Sequence, residues 1–368
     1  RRGPTMTSTK ENSSRFSQRR KHDKAISEAE LRLLVDEEVT DLKGSLKDKE
    51  RIISEYRKEH GSLQSLFRTL GECVSKIPPV PPVYSPPKKQ KSVENPVTAV
   101  MQVNDGHMGQ ITSAQEVEGF GEFNPALCRS RQLNFAEKVL EWVDLHRNSY
   151  TINELVIPVL GDMISGDIHP DLQITNAFPS PIQACEAGWL LSDQVAMMAP
   201  HFQKVRVEFV TEDNHARLTK KPQAAEAGLN SLNYVVGFIA KQRISGLPNV
   251  EFNIYPQYEA VIAVAGRRYL ICHGHGVMGW AGVPWYGVER RMGREALKRM
   301  NAPDMNKFHK VLLGHWHTPI SHPWYWVGGS VSGTDALDHK QGRHSPPSQA
   351  AWVVHPKHGE FNRTDFWL

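Results

Sequence analysis

"VLLGHWHTPI" (residues 311–320) sets two imidazoles, His315 and His317, one residue apart behind three apolar residues and a glycine. A short apolar run closed by glycine reads as the end of a buried strand. Working outward, the same pattern recurs along the chain. "TAVMQVN" (98–104), "ELVIPVLG" (154–161), "KVRVEFVT" (204–211), "VEFNIYP" (250–256), "AVIAVAG" (260–266), "RRYLICHG" (267–274) and "KVLLG" (310–314) are strand candidates. Helical periodicity predicts helices over 131–148, 181–200, 222–243 and 287–300 between them. Strands alternating with long helices imply βαβ units, an α/β fold and core strands buried on both faces. Ligand sites in such sheets form outside the carboxyl ends of the strands.

Five of those ends carry oxygen or imidazole groups. Asp105 and His107 follow the first strand, Asp162 the second, Asn214 and His215 the third, His273 the sixth, and His315 and His317 the last. One buried histidine at a strand end is more often a satisfied core residue than a ligand. For five ends to take such groups independently is improbable, so they read as one metal site. Carboxylate and imidazole donors without thiolate suit divalent cations, manganese first, with iron, zinc or magnesium as alternatives.

The ordered series Asp-x-His (105–107), Gly-Asp (161–162), Asn-His (214–215), His273 and Gly-His-x-His (314–317) resembles the calcineurin-like metallophosphoesterase superfamily, over roughly residues 97–368. Within it the chain looks most like DNA-repair-exonuclease-type and phage-encoded members. The resemblance implies an α-β-β-α sandwich of two sheets and a pair of divalent cations. Asp105, His107 and His317 would hold the first cation and Asn214, His273 and His315 the second, with Asp162 bridging them. Two cations about 3.5–4 Å apart share a hydroxide and clamp both oxygens of an in-line displacement at phosphorus. Alternate residues of an extended segment project differently, so His315 and His317 are expected to reach different cations from an extended backbone. His215 would be no ligand; it would protonate the leaving oxygen or steady the phosphoryl oxygens.

The chain departs from the family's usual Gly-Asn-His-Asp/Glu, with Asp213 in place of the glycine and Ala216 in place of the acid. That removes an orienting partner for His215, and Glu212, Asp213 or Asp167 is expected to substitute. "GDMISGD" (161–167) lacks the phosphate-gripping arginine of the superfamily's protein Ser/Thr phosphatases, and Asp167 and His169 read as loop caps. Two features favour nucleic acid. Arg290, Arg291, Arg294, Lys298 and Arg299 lie on one expected helix, whose alternative reading is a solvated face balanced by Glu289 and Glu295. Trp280, Trp285, Tyr286, Trp316 and Trp324 crowd the neighbouring loops, where exposed rings stack on unpaired bases. His275, two residues after a ligand, is a further candidate phosphate contact.

Upstream of this region the composition changes. Residues 1–24 hold eight basic and two acidic residues, a net charge of +6 against +4 for the whole chain, and read as a disordered basic arm. Residues 25–76 read as a helical module, with apolar stripes through Leu31, Leu34, Val35, Val39 and Leu42 and through Ile52, Ile53, Tyr56, Leu63 and Leu66. Six prolines between residues 78 and 87 mark a linker over 77–96, leaving 97–368 as the catalytic domain. No apolar run of 18 residues suggests a membrane span, and the four separated cysteines form no CxxC pair. The expected setting is a reducing cytoplasm, that of a host if the chain is phage-encoded. The sequence therefore points to a two-metal phosphodiester hydrolase, a DNA exo- or endonuclease with nucleic acid as partner and a homo-oligomer as an open alternative. The competing readings are a nucleotide phosphodiesterase or phosphatase on small substrates, and a non-catalytic DNA-binding scaffold.

Overall fold

Elements follow one another as β1 (Pro96–Met101), α1 (Pro125–His146), β2 (Thr151–Val159), α2 (Pro170–Thr175), α3 (Ser180–Met198) and β3 (Lys204–Val210). Then come α4 (Leu232–Arg243), β4 (Val250–Tyr255), β5 (Glu259–Val264), β6 (Arg267–Cys272), α5 (Trp285–Lys298) and β7 (Lys310–Leu313). The chain closes with β8 (Ile320–Ser321), β9 (Tyr325–Val327), α6 (Ala336–Lys340), β10 (Ser348–His355) and β11 (Gly359–Trp367). This computed structural model describes residues 95–368 except 169 and 278–284, with residues 36, 39, 40, 43, 44 and 46–50, all helical, from the N-terminal region. The expected basic arm, most of the helical module, the linker up to residue 94, His169 and Trp280 lie outside the described residues. The chain divides into two units, Arg1–Phe67 and Arg68–Leu368, and the second contains every element from β1 to β11.

Two mixed sheets form the α/β core. The first has the order β11-β10-β1-β2-β3-β4, with β1 to β4 parallel and β10 antiparallel to both of its neighbours, β1 and β11. The second has the order β5-β6-β7-β9-β8, with β6, β7 and β9 parallel. Strand periodicity decides which side chains meet. In β6, Tyr269 and Ile271 face the first sheet, joining Val100, Val156 and Trp352 in one buried cluster, whereas Leu270 and Cys272 face away and pack with Val288 of α5. Leu312 of β7 likewise faces inward while its neighbours Val311 and Leu313 join the α5 side. Trp326 and Trp352 meet edge to face between the sheets, ring centroids 4.9 Å apart. On the outer face of the first sheet, Phe135 of α1 packs on Phe366 of β11, and Gly237 lets α4 approach Phe209 and Ile254.

The strand candidates all form, with boundaries moved by a few residues. The helix expected over 222–243 is shortened to Leu232–Arg243. Its alanine-rich first half has the propensity but not the room: Gly228 abuts the carbonyl of Pro256, and its own carbonyl accepts from Thr211 Oγ1 at 2.7 Å. The helix starts where the Ser231 side chain accepts the N–H of Asn233. β8 to β11, α2 and α6 are elements the sequence pattern did not reveal. Among the described residues, no helix is long and apolar enough to cross a membrane.

Candidate metal centre

The carboxyl ends of β1, β2 and β3 in one sheet and of β6 and β7 in the other open into loops that knit together. Asp105 and His107 donate their backbone N–H groups to the carbonyls of Gly161 and Asp162, at 3.1 and 2.9 Å. Gln102 Nε2 reaches across to the Leu313 carbonyl at 3.0 Å, and the His273 ring meets the Leu160 carbonyl through Nδ1 at 2.9 Å. Both bonds join one sheet to the other at the rim of the site. Gly161 (φ 93°) has no space for a side chain: a Cβ there would stand 3.0 Å from Asp213 and 3.2 Å from the His273 ring. Gly314 is pressed against Asp105 and Asn104 in the same way.

Those loops bring the ligand types into overlapping groups. Asp105, His107 and His317 offer donor atoms within 4.8 Å of one another, as do Asp162, His273 and His315, and a third group, His107, Asp162 and His215, joins the two. His107 Nε2 and His317 Nε2 face each other at 3.1 Å, each 3.9 Å from Asp105 Oδ1. His273 Nε2 lies 2.9 Å from Asp162 Oδ2 and 3.0 Å from Asn214 Oδ1. Ligand atoms bound at about 2.1 Å on one cation stand about 3 Å apart, so the spacing fits coordination. The first group makes the sharper test. His317 Nδ1 lies 2.9 Å from the Asp338 carboxylate, which holds a proton on that nitrogen and turns Nε2 toward His107. With no cation bound, the facing Nε2 atoms share a proton in an N–H···N hydrogen bond; with that proton expelled, both lone pairs point at one place. These donors fit divalent cations.

The backbone corrects one expectation. His315 and His317 are not on an extended segment: both take left-handed backbone (φ 73° and 57°), and Trp316 donates its N–H to the Gly314 carbonyl. The two rings still diverge, His315 toward His273 (centroids 5.1 Å) and His317 toward His107 (5.0 Å), but a tight turn separates them rather than strand alternation.

Electrostatics divide the histidines. Burial, reinforced by neighbouring His215 for His107 and His273 for His315, pushes both well below the usual imidazole range, leaving neutral donors. Burial opposes charge on His273 and His317 too, but Asp162 lifts the first to about 10 and Asp338 the second to about 9. Asp162 is held well below the ordinary carboxylate range: burial works against this, and the adjacent His273 and His215 outweigh it.

His215 stands at the floor of a cavity of about 810 Å³ shared with Asp162, Asn214, His315 and His317 and walled by Ile111 and Leu337. Its Nδ1 lies 2.6 Å from the Ser165 carbonyl and its Nε2 3.9 Å from Asp162 Oδ2. A backbone carbonyl thus takes the place of the missing acid, and neither Glu212, Asp213 nor Asp167 does. Asp213 instead accepts the N–H groups of Asp162 (2.6 Å) and Ala216 (2.8 Å) and the amide of Asn233, bracing the loop that carries Asn214. Asp167 accepts from Asn176 and from the Ser180 N–H, the capping role expected of it.

His275 lies beside the second group, its ring 5.7 Å from that of His273 and its Nε2 3.8 Å from Glu212. Burial and His273 lower it to about 4, so it is neutral. Arg291 is occupied by Glu259 and Glu295 at 3.3 and 3.2 Å, while Arg290 and Arg294 are exposed and, among the described residues, have no ion-pair partner. Trp316 is core; Trp285, Tyr286 and Trp324 are exposed. The residues that sequence reasoning missed are the buried Asp338 and Arg343, which holds it at 2.6 Å. Both follow Gly-His-x-His by more than twenty positions with no motif to flag them.

No family model matches the chain, and no curated protein matches it. Among solved structures it is similar to vacuolar protein sorting 29 of Entamoeba histolytica complexed with zinc, at 10% identity over 73% of this chain and 98% of that one, TM-score 0.28. The same protein from Cryptosporidium parvum gives 11% identity, 74% and 99% coverage, and a TM-score of 0.29. The sulfate thiohydrolase SoxB of Thermus thermophilus gives 8%, 76% and 57%, and 0.30. Likenesses this distant carry no functional argument; the chemistry rests on the donor atoms gathered at the two sheets' carboxyl ends.

Proposed function

We propose that the protein is a metal-dependent phosphodiester hydrolase acting on nucleic acid, with DNA as its substrate and manganese as the cation it uses. The observation that carries the hydrolase reading is the run of donor groups from Asp105, His107 and His317, through His107, Asp162 and His215, to Asp162, His273 and His315. When bound there, two divalent cations supply Lewis-acid stabilisation of the phosphoryl oxygens and a lowered pKa for the attacking water. The chain's residues do the remainder. Asp105, receiving the His315 N–H at 3.0 Å and the Asn104 amide at 2.5 Å, is fixed as an acceptor. His215, with Nδ1 committed to the Ser165 carbonyl, presents Nε2 to the cavity. Protonated there, it donates to the leaving oxygen or to a phosphoryl oxygen.

The nucleic-acid half is supported by the +6 charge of residues 1–24 and the exposed Arg290 and Arg294. A second reading, hydrolysis of a nucleotide-sized ester, is favoured by the cavity, whose 810 Å³ and part-apolar walls suit one small ligand. Manganese-dependent cleavage of labelled single- and double-stranded DNA, assayed beside a chromogenic phosphodiester, tests the two. DNA cleavage that weakens when residues 1–94 are deleted supports the nuclease. Activity on the small ester alone, at a rate indifferent to the deletion, overturns it in favour of the second reading.

A further inference from the structure

We propose that the outward face of α5, together with Trp324, is a docking track for single-stranded nucleic acid. The helix has two different faces. Inward, Val288 is buried, and Arg291, Lys298 and Arg299 are drawn onto the buried carboxylates of Glu259 and Glu295. Outward, Tyr286, Arg290 and Arg294 follow at four-residue intervals, which stacks them along one stripe. Tyr286 is 75% exposed. Like charges four apart on a helix repel, and of the helix's two acids Glu295 is buried and Glu289 lies on the neighbouring stripe, four residues after Trp285. The outward face therefore carries two positive charges that no ion pair among the described residues compensates.

Aromatic surface adjoins that stripe. Trp285 (52% exposed) contacts Tyr325 and His322, with ring centroids 6.1 and 6.5 Å away. The His322 ring stacks on Tyr325 and its Nδ1 accepts the N–H of Trp324, which is 62% exposed. Trp285, His322 and Tyr325 are thus in ring contact, Trp324 is tied to His322 through its backbone, and Tyr286 follows Trp285 at the head of the arginine stripe. Exposed rings offer π-faces that only unstacked bases can meet, and guanidinium groups meet the phosphates between them. A duplex presents no free base faces, and a second copy docking symmetrically on this surface would set four arginines against one another. The helix also backs onto the cavity: Val277, which lines it, belongs to the same buried cluster as Val288 of the helix.

This inference deepens the nuclease reading and rests on it, but its test does not depend on catalysis. Binding of the full chain to a fluorescent oligothymidylate, to its duplex and to the matching RNA is measured in EDTA over a range of salt. R290A/R294A should lower the slope of log affinity against log salt by about 1.4, since each phosphate contact on a single strand contributes about 0.7. W324A and Y286A should each weaken single-strand binding roughly tenfold and duplex binding little. Unchanged affinity and slope in all three variants overturns the proposal. So does a change in oligomeric mass in R290A/R294A, which would make the face a contact between copies. Single-strand binding that follows these residues in a protein that cleaves no DNA upholds the track while removing the nuclease reading.

Discussion

Five of the seven residues expected as ligands sit on left-handed backbone: Asp105, His107, Asp162, His315 and His317, with φ between 46° and 73°. Such conformations cost non-glycine residues roughly 1–2 kcal/mol each and persist only where the surroundings over-determine them. Here the surroundings are the cross-loop hydrogen bonds and the neighbours of each ring. Asp338 shows the dependence best, because it fixes which nitrogen of His317 carries the proton. Asp338→Asn should lower cation affinity at the first group by about 10- to 100-fold, read by calorimetric titration, with Asp338→Glu restoring part of it. His215→Ala should retain full metal content by elemental analysis while kcat falls by about 10²- to 10⁴-fold. If it empties the site instead, His215 is a ligand. That these side chains gather in one place was legible because each polar group ends an apolar run. Asp338 was not, because its link to His317 exists only after α6 folds back on the β7 loop.

At the scale of the element, α5 shows what periodicity can and cannot reveal. Its position was legible to within two residues at each end. Its basic residues read as one surface, yet Arg291, Lys298 and Arg299 are bound to Glu259, which lies on β5, 32 to 40 residues earlier, and gave no sign of the pairing. The same limit shortened α4, where alanine-rich propensity lost to a tertiary contact at Gly228. Glu259 supplies a test. Burial raises its pKa, but a hydrogen bond shared with Glu295, those from Arg299 and Lys298, and the Arg299 charge bring it down to about 2. A carboxylate depressed in the folded state adds stability that is complete above the unfolded value of about 4.5 and is lost as pH falls through the folded one. Thermal unfolding between pH 5 and pH 2 should therefore show a falling midpoint. Glu259→Gln should flatten part of that fall while lowering the midpoint at pH 7, since it leaves Arg299, 12% exposed, with one of its two carboxylates, Glu295, instead of both.

For the whole molecule, the two sheets meet in two places, the buried Trp326–Trp352 layer and the loops at the carboxyl ends. Each ligand group draws on both sheets: Asp105 and His107 against His317, and Asp162 and Asn214 against His273 and His315. Cations bound there would staple one sheet to the other, so loading should stabilise the fold. At a free concentration one hundred times Kd the gain is about 2.7 kcal/mol, or about 5–10 °C in Tm for a domain of this size. The direction of pH dependence follows from His273 and His317. With pKa values of about 10 and 9, both carry a proton at neutral pH when no cation competes, and cation binding must expel it. Affinity should therefore rise with pH from 6.5 toward 9. Titrations in buffers of different ionisation enthalpy should report close to two protons released near pH 7.5 and fewer above pH 9. The chelated protein should behave oppositely. Groups whose pKa is raised by folding stabilise it fully below about 6.5 and lose that contribution as pH climbs through 9 and 10. The gap in Tm between loaded and chelated protein should thus widen with pH. A gap that stays constant, with no proton release, would mean that His273 and His317 do not share their lone pairs with the cations, and the two sheets would then be held by the buried cluster between them and the hydrogen bonds at the rim.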